Sequence, residues 1–289
     1  MNDREPRAAG RKVWRITIAG YGMVGRYVEE VFGRIHQVAV YDPPLGLGSP
    51  HDLRDTDFVF LCVPTPSGAG GECDTSIVEQ LVAVAEPHRA IVCHSTVSIG
   101  TTERLIREYG KPLVFVPEYA GESPHHPYRR PENREFFIFG GYQPAAGYAC
   151  ALFASAYGTG ASHFVVPPTV AEITKYMENA FLAAKVSFCN EFYDLCQAFG
   201  VEYEDVRQLW LADRRIGASH TVVTPERGYG GKCLPKDTAA VCATGQRVGV
   251  PMEIMKAVQR ANARHPTAPR QKRNGAGRAS DPHAIARLT

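Results

Sequence analysis

One junction constrains this chain more than any other. A short β-rich run, VWRITIAG (13–20), ends in Gly20-Tyr21-Gly22-Met23-Val24-Gly25, and VGRYVEEVFGRI (24–35) continues with apolar residues at helical spacing. A G-x-G-x-x-G is weak alone. Here a strand precedes it, a helix follows, and Asp42 closes the next strand-like run, HQVAVYD (36–42), 22 positions after Gly20. A dinucleotide-binding βαβ unit requires that context. Gly20 allows the tight turn, Gly22 lets backbone approach a pyrophosphate, and Gly25 permits close helix–strand packing. The helix start offers unpaired N–H groups to phosphate. Asp42 would accept from a ribose diol and repel a 2′-phosphate, which favours NAD over NADP. A glycine turn in a nucleotide-free α/β fold is the plainer alternative; four elements in register weigh against it.

Further short apolar runs follow at 57–66, 90–96, 112–119, 134–141 and 162–167, with helical patterns such as 75–88 and 101–110 between several of them. Strands alternating with helices argue for an α/β, doubly wound, Rossmann-like parallel sheet covered on both faces. From Thr169 the texture changes. Residues 169–200 keep helical spacing without Gly or Pro until Gly200, and shorter helices are expected at 203–212, 236–248 and 251–263. The expected organisation is a nucleotide-binding domain (13–167), an all-α central domain entered by one long connecting helix (168–263), and a basic, disordered tail (264–289).

Charge and cysteine content exclude several classes. The formal charge is +2, but six Lys/Arg from Arg264 onward face the single Asp281, so the body is mildly acidic. It lacks the basic stripe that nucleic-acid binding needs. No apolar run reaches membrane-spanning length. The eight cysteines form no C-x-x-C pair, and no His cluster has zinc spacing, so no metal site is expected. Several sit in apolar runs, as reduced thiols of a cytoplasmic protein would. The charged start, MNDREPRAAGRK, has no apolar core of a signal peptide.

Cys233 has a different setting, GYGGKCLPKD (228–237), among glycines and a Pro-Lys-Asp. Taken alone, it is either a nucleophile or a small apolar residue in a turn. Lys175 and Asn179, four apart, share one face of the long helix. With CVPTP (62–66), DTSIVEQLV (74–82), HSTVSIGTTERL (94–105), VPEYAGE (116–122), EITKYMENAFLAAKVSFCNE (172–191) and RIG (215–217), these blocks follow one another in an order that resembles the UDP-glucose/GDP-mannose dehydrogenase family, from about residue 13 to 262.

The resemblance implies NAD-dependent oxidation of a sugar primary alcohol to a carboxylate by two hydride transfers. It makes Cys233 the thiol that forms a thiohemiacetal and then a thioester. Lys175 and Asn179 stabilise the oxyanion, Asp237 helps position water and Lys175, Glu118 handles protons during hydrolysis, and Thr96 holds the water. It adds Met23, Val24, Val63, Pro64, Thr65, Ser95, Thr96, Glu122 and Lys236 to the cofactor contacts. Glu118, Tyr119, Lys175, Asn179, Arg215, Tyr229 and Gly230 become the substrate contacts. Arg215, 18 positions before Cys233, would reach the substrate of a neighbouring subunit, which implies a homodimer built on the central helices.

The chain departs from the family in four places, one of them the usual G-P-G-F-G-G entry, which here is Glu226-Arg227-Gly228-Tyr229-Gly230-Gly231. A second Rossmann-like domain that usually follows the central helices is absent from the sequence. The usual PEF-L-x-E-G is Pro117-Glu118-Tyr119-Ala120-Gly121-Glu122, and Lys232 replaces a usual Ser before Cys233. An ammonium there would favour thiolate. These changes leave the chemical residues in place and open the substrate to a smaller sugar or nucleoside alcohol. Two alternatives remain: a non-catalytic NAD-binding or partner subunit, and a two-electron 3-hydroxyacid-type dehydrogenase, which needs no thiol.

Overall fold

A computed structural model describes residues 12–119, 128 and 130–265. The polypeptide forms two compact units that divide between Lys175 and Tyr176, inside the long helix.

The first unit is built on a seven-stranded sheet. Its strands are β1 (Arg15–Ala19), β2 (Gln37–Tyr41), β3 (Phe58–Leu61), β4 (Ala90–Cys93), β5 (Leu113–Phe115), β6 (Phe136–Gly140) and β7 (Ser162–Val166), in the spatial order β2-β1-β3-β4-β5-β6-β7. The first five run parallel. The inner strands FVFL and AIVC are buried at every position, because a parallel sheet with both faces covered leaves no wet side.

Alternate residues serve two cores. On one face, Ile16, Ile18, Phe58, Phe60 and Val92 pack with α1 (Met23–Phe32) and α4 (Ala145–Tyr157). On the other, Val59, Leu61, Ile91 and Cys93 pack with α2 (Ser76–Val84) and α3 (Thr101–Tyr109). The strand order turns back at β1, with β2 on one side and β3 on the other, and the covering helices switch faces there; open α/β sheets bind ligands in the crevice at that point.

Two features differ from the sequence expectation. Helix α4 was not assigned from AAGYACALFASAY, which has no polar face to create a helical period. Small residues let it lie flat on the sheet, with Phe153 inserted among Phe32, Phe137 and Phe139 at centroid distances of 5.2, 5.0 and 5.3 Å. The sheet is also not wholly parallel, since β6 meets β5 antiparallel through Phe115 and Gly140. Parallel neighbours need a long crossover; the described residues just before β6 form a 3-10 turn, Pro131–Asn133. Helix α4 then supplies the crossover that makes β6 and β7 parallel.

The second unit is helical. Helix α5 (Pro168–Phe199) enters it, and Gly200 ends that helix at a φ of 66°, a left-handed conformation that glycine adopts freely. Then come α6 (Tyr203–Leu211), α7 (Leu234–Arg247) and α8 (Glu253–Asn262). Ala180 and Ala183 of α5 pack with Tyr229, Met255 and Val258, and Cys189 and Cys196 pack with Tyr203. No helix among the described residues is long and apolar enough to cross a membrane, and none of their His, Cys, Asp and Glu side chains cluster as a metal site.

Candidate active site

The glycine turn sits at the end of β1. Gly20 has a φ of 94°, and a Cβ there would lie 2.7 Å from the Cys62 carbonyl oxygen at the end of β3. A Cβ on Gly25 would come within 2.1 Å of the Gly20 carbonyl oxygen, so α1 can approach β1 this closely only through glycine. At Gly22 an added Cβ would meet nothing within 4 Å. That open space above a helix start is what a pyrophosphate needs, so the residues fit a dinucleotide.

Asp42 Oδ2 accepts from the Tyr21 backbone N–H at 2.7 Å, which ties the end of β2 to the turn. Met23 is exposed in the first turn of α1, and Val24 packs on the core beneath. Beyond β3 and β4, the Thr65 hydroxyl donates to the Thr96 carbonyl at 2.6 Å, and Ser95 Oγ donates to the Val63 carbonyl at 2.8 Å. Both hydroxyls therefore brace the two loops against each other, with Val63 half-buried and Pro64 exposed at the rim. Glu122 lies outside the described residues.

Also in the first unit, Glu118 follows β5 and Arg134 precedes β6. Arg134 Nη1 donates to Glu118 Oε1 at 2.6 Å, and the Tyr119 N–H donates to the same oxygen at 2.7 Å. Lys175, buried on α5, places Nζ 4.3 Å from the centroid of the Tyr119 ring, a favourable cation–π distance. Glu172, one turn earlier, is fully buried and accepts the Gly100 and Thr102 N–H groups at 2.6 and 2.8 Å, capping α3. Burial raises its carboxyl above the ordinary value, while those donors pull it back.

The second unit holds the thiol. Cys233 is the exposed cysteine of the eight and stands at the N-cap of α7, before Leu234 and Pro235. Burial pushes other thiols up: Cys93 to about 12, Cys150 to about 11, and Cys62 and Cys242 upward as well. One turn after Cys233, Asp237 is 1% exposed. Its Oδ2 accepts from Asn179 Nδ2 at 2.5 Å. Lys236 Nζ lies 2.7 Å from Oδ1, off the line of a hydrogen bond, so that contact is coulombic.

The loop before Cys233 is clamped on both sides. Asn190 of α5 receives Arg227 Nε at 2.6 Å and the Gly228 N–H at 3.3 Å. Asn262 of α8 accepts the Tyr229 N–H at 2.6 Å and donates to its carbonyl at 3.0 Å. Tyr229 is thereby buried, Gly230 exposed. Arg215 projects into solvent, 87% exposed, and pairs with Asp213.

The sequence-assigned residues thus assemble as two groups: Glu118, Tyr119 and Lys175 in the first unit, Asn179, Cys233, Lys236 and Asp237 in the second. Lys175 and Asn179 stand one turn apart on α5. Sequence reasoning missed Arg134, Glu172, Asn190 and Asn262. Glu172 and Asn190 lie inside the helix block already singled out, as polar residues on an apolar stripe; that was their only signal.

Comparison with known proteins identifies the family. Residues 48–118 match the UDP-glucose/GDP-mannose dehydrogenase family's NAD binding domain, and residues 169–264 match its central domain. A UDP-glucose 6-dehydrogenase of Pseudomonas aeruginosa is 36% identical over 229 residues, covering 73% of this chain and 49% of that protein. One from Rhizobium meliloti is 32% identical over 220 residues, covering 72% and 50%. The UDP-glucose dehydrogenase structure from Pyrobaculum islandicum superposes with a TM-score of 0.77 at 26% identity, covering 89% of this chain and 69% of that one. A Mycobacterium tuberculosis 3-hydroxyisobutyrate dehydrogenase shares the fold at a TM-score of 0.65 and 16% identity, covering 89% and 96%. The chain spans about half the length of the curated relatives it matches. With both of its domain models matched in order on a Rossmann-like sheet and a long connecting helix, the chain belongs to the UDP-glucose/GDP-mannose dehydrogenase family.

Proposed function

We propose that this chain oxidises the primary alcohol of a nucleotide sugar, or of a smaller sugar or nucleoside, to the carboxylate in two hydride transfers through a covalent adduct on Cys233. One observation carries the reading. In a chain of this family, an exposed thiol stands at a helix start one turn from a buried carboxylate bonded to the α5 amide of Asn179.

Bound NAD would supply the hydride acceptor for each oxidation. The Gly20–Gly25 turn, the start of α1, Asp42 and the loops at 63–65 and 95–96 would hold it. Lys175 and Asn179 donate to the substrate oxygen as charge develops. When the alcohol has lost a hydride and a proton, the Cys233 thiolate adds to the aldehyde carbon and the oxygen takes up a proton, giving a thiohemiacetal. Loss of a second hydride and the hydroxyl proton leaves the thioester. Water held by Thr96 and Asp237 gives a proton toward Glu118 and attacks the acyl carbon. The C–S bond breaks, and the acid and the thiol are released. Overall, one alcohol, one water and two oxidised cofactors give one carboxylate, two reduced cofactors and three protons.

The test is stoichiometry. Purified protein with NAD and UDP-glucose, then other sugar and nucleoside alcohols, should yield two NADH per alcohol and an acid identified by mass. Cys233→Ala should abolish acid formation; an undiminished yield of two from that variant would sink the thioester role. One NADH per alcohol with a ketone or aldehyde product from the wild type would instead favour a two-electron dehydrogenase.

The assembly in this reading is a homodimer through α5. Met177, Phe181 and Phe199 on that helix are 73%, 63% and 76% exposed, in line with Phe188, Phe192 and Leu195. Contiguous apolar surface of this kind marks an interaction site. A cytoplasmic location belongs to the same reading, supported by eight cysteines without a disulfide.

A further inference from the structure

The Glu118–Arg134 pair is the most deeply buried ion pair among the described residues, with side chains 4% and 1% exposed. The guanidinium is held among aromatic rings, with Cζ 4.8 Å from the Phe137 centroid and 5.5 Å from that of Tyr119. Lys175 Nζ lies against the same Tyr119 ring. One tyrosine thus spaces the cation bonded to Glu118 from the ammonium assigned to the oxyanion.

Among the described residues, the groups facing this carboxylate include Tyr27 of α1, Cys62 after β3, His94 after β4 and Tyr157 at the end of α4. All are driven to their neutral forms by burial: both phenols and the thiol are raised, and the imidazole is lowered. His94 Nδ1 is in addition bonded to the Val116 carbonyl oxygen at 2.6 Å. None of the four brings a positive charge. Arg134 brings a permanent one at bonding distance.

We propose that Arg134 is a positioning residue for the reaction, holding the Glu118 carboxylate in place by a buried ion pair. The proposal rests on the role given to Glu118 above. A carboxylate taking a proton from water must be ionised and correctly aimed. The guanidinium and the Tyr119 N–H, converging on Oε1, fix its rotation, and the cation favours its charge. A pair kept only for folding would affect stability without affecting the ionisation that limits the rate.

Two readouts separate these cases. In protein labelled with 13C at glutamate carboxyls, the Glu118 signal is assigned by its loss in Glu118→Gln and titrated. Arg134→Gln should move its midpoint up by about one pH unit or more. The acid limb of kcat should move up with it, and kcat should fall about tenfold or more while KM for NAD changes little. Losing one partner of a buried pair can unfold a protein, so Arg134→Lys is the second variant. It keeps the charge and loses the fork; the midpoint should stay near that of the wild type while kcat drops. An unchanged midpoint in Arg134→Gln, or a wild-type kcat and pH profile in Arg134→Lys, overturns the proposal. If no alcohol is oxidised by the wild type, the dehydrogenase reading fails, and the titration still judges the Glu118–Arg134 linkage alone.

Discussion

At the scale of single residues, the three glycines of the turn are not equivalent, and their differences make a sharp experiment. A methyl group at Gly25 collides with the Gly20 carbonyl, whereas one at Gly22 meets nothing in the protein. Gly25→Ala should therefore lower both melting temperature and NAD affinity. Gly22→Ala should leave melting unchanged and weaken NAD binding alone, as measured by calorimetry beside a thermal melt. Equal losses of stability in the two variants would contradict this assignment of roles. Asn179 gives a second case. Its amide satisfies one oxygen of a carboxylate that is 1% exposed, and a buried group stripped of its partner costs about 1–3 kcal/mol, more when charged. Asn179→Ala should lose at least that much unfolding free energy in urea, besides any loss of activity. The glycines stand out in the sequence by their spacing, and Asn179 by the helix block that resembles the family. Arg134 and Asn262 do not, because each gains its role from a partner distant in the chain, and no local pattern encodes that partner.

At the scale of elements, legibility followed periodicity. The buried strands of the inner sheet stand out as β-branched and aromatic runs between turn residues, and α5 stands out by its unbroken 3.6-residue period. Helix α4 has neither a polar face nor a long apolar run, so only the sheet it covers makes it a helix. Its Phe153 should be a large stability determinant. Removing a buried ring surrounded by six others leaves a cavity, and Phe153→Ala should cost about 3–5 kcal/mol in denaturant unfolding. A loss below about 1 kcal/mol would mean that the core collapses around the site. The antiparallel β5–β6 step was hidden for a related reason: strand direction depends on the path of the connection, which composition does not record. Helix α5 also docks on α3 through Glu172, and the sign of its pH dependence can be worked out. Burial raises the folded-state value above the ordinary 4.5. The folded state therefore binds a proton that the unfolded chain has already released, and stability declines as pH rises from about 4.5 through the raised value. Glu172→Gln lacks that titration, so the stability difference between it and the wild type should change across this interval. Parallel stability curves would show that the two N–H donors cancel the effect of burial.

At the scale of the whole molecule, the question is whether a neighbouring subunit contributes to the proposed substrate site, and the symmetry of the proposed dimer makes that testable. A two-fold contact through α5 is isologous, so whatever one subunit lends it also receives. Arg215 suits such an exchange: it is 87% exposed, its only described ion pair is with neighbouring Asp213, and the Lys185 ammonium of α5 anchors its loop through the Gly217 carbonyl at 2.7 Å. Phe181→Asp should convert the dimer to a folded monomer by light scattering, because the side chain it replaces is 63% exposed and supports no core. If Arg215 serves the neighbouring site, that monomer should keep NAD binding and lose turnover. Complementation then decides between the two arrangements. Arg215→Ala and Cys233→Ala homodimers should each be inactive, but subunits exchanged between them form mixed dimers in which one site has both an intact thiol and an intact arginine from across the interface. Random exchange makes half of the dimers mixed, with one working site of two, so activity should return to about a quarter of the wild-type level. An arginine acting on its own subunit's substrate would restore nothing, since every thiol-bearing chain in the mixture lacks it.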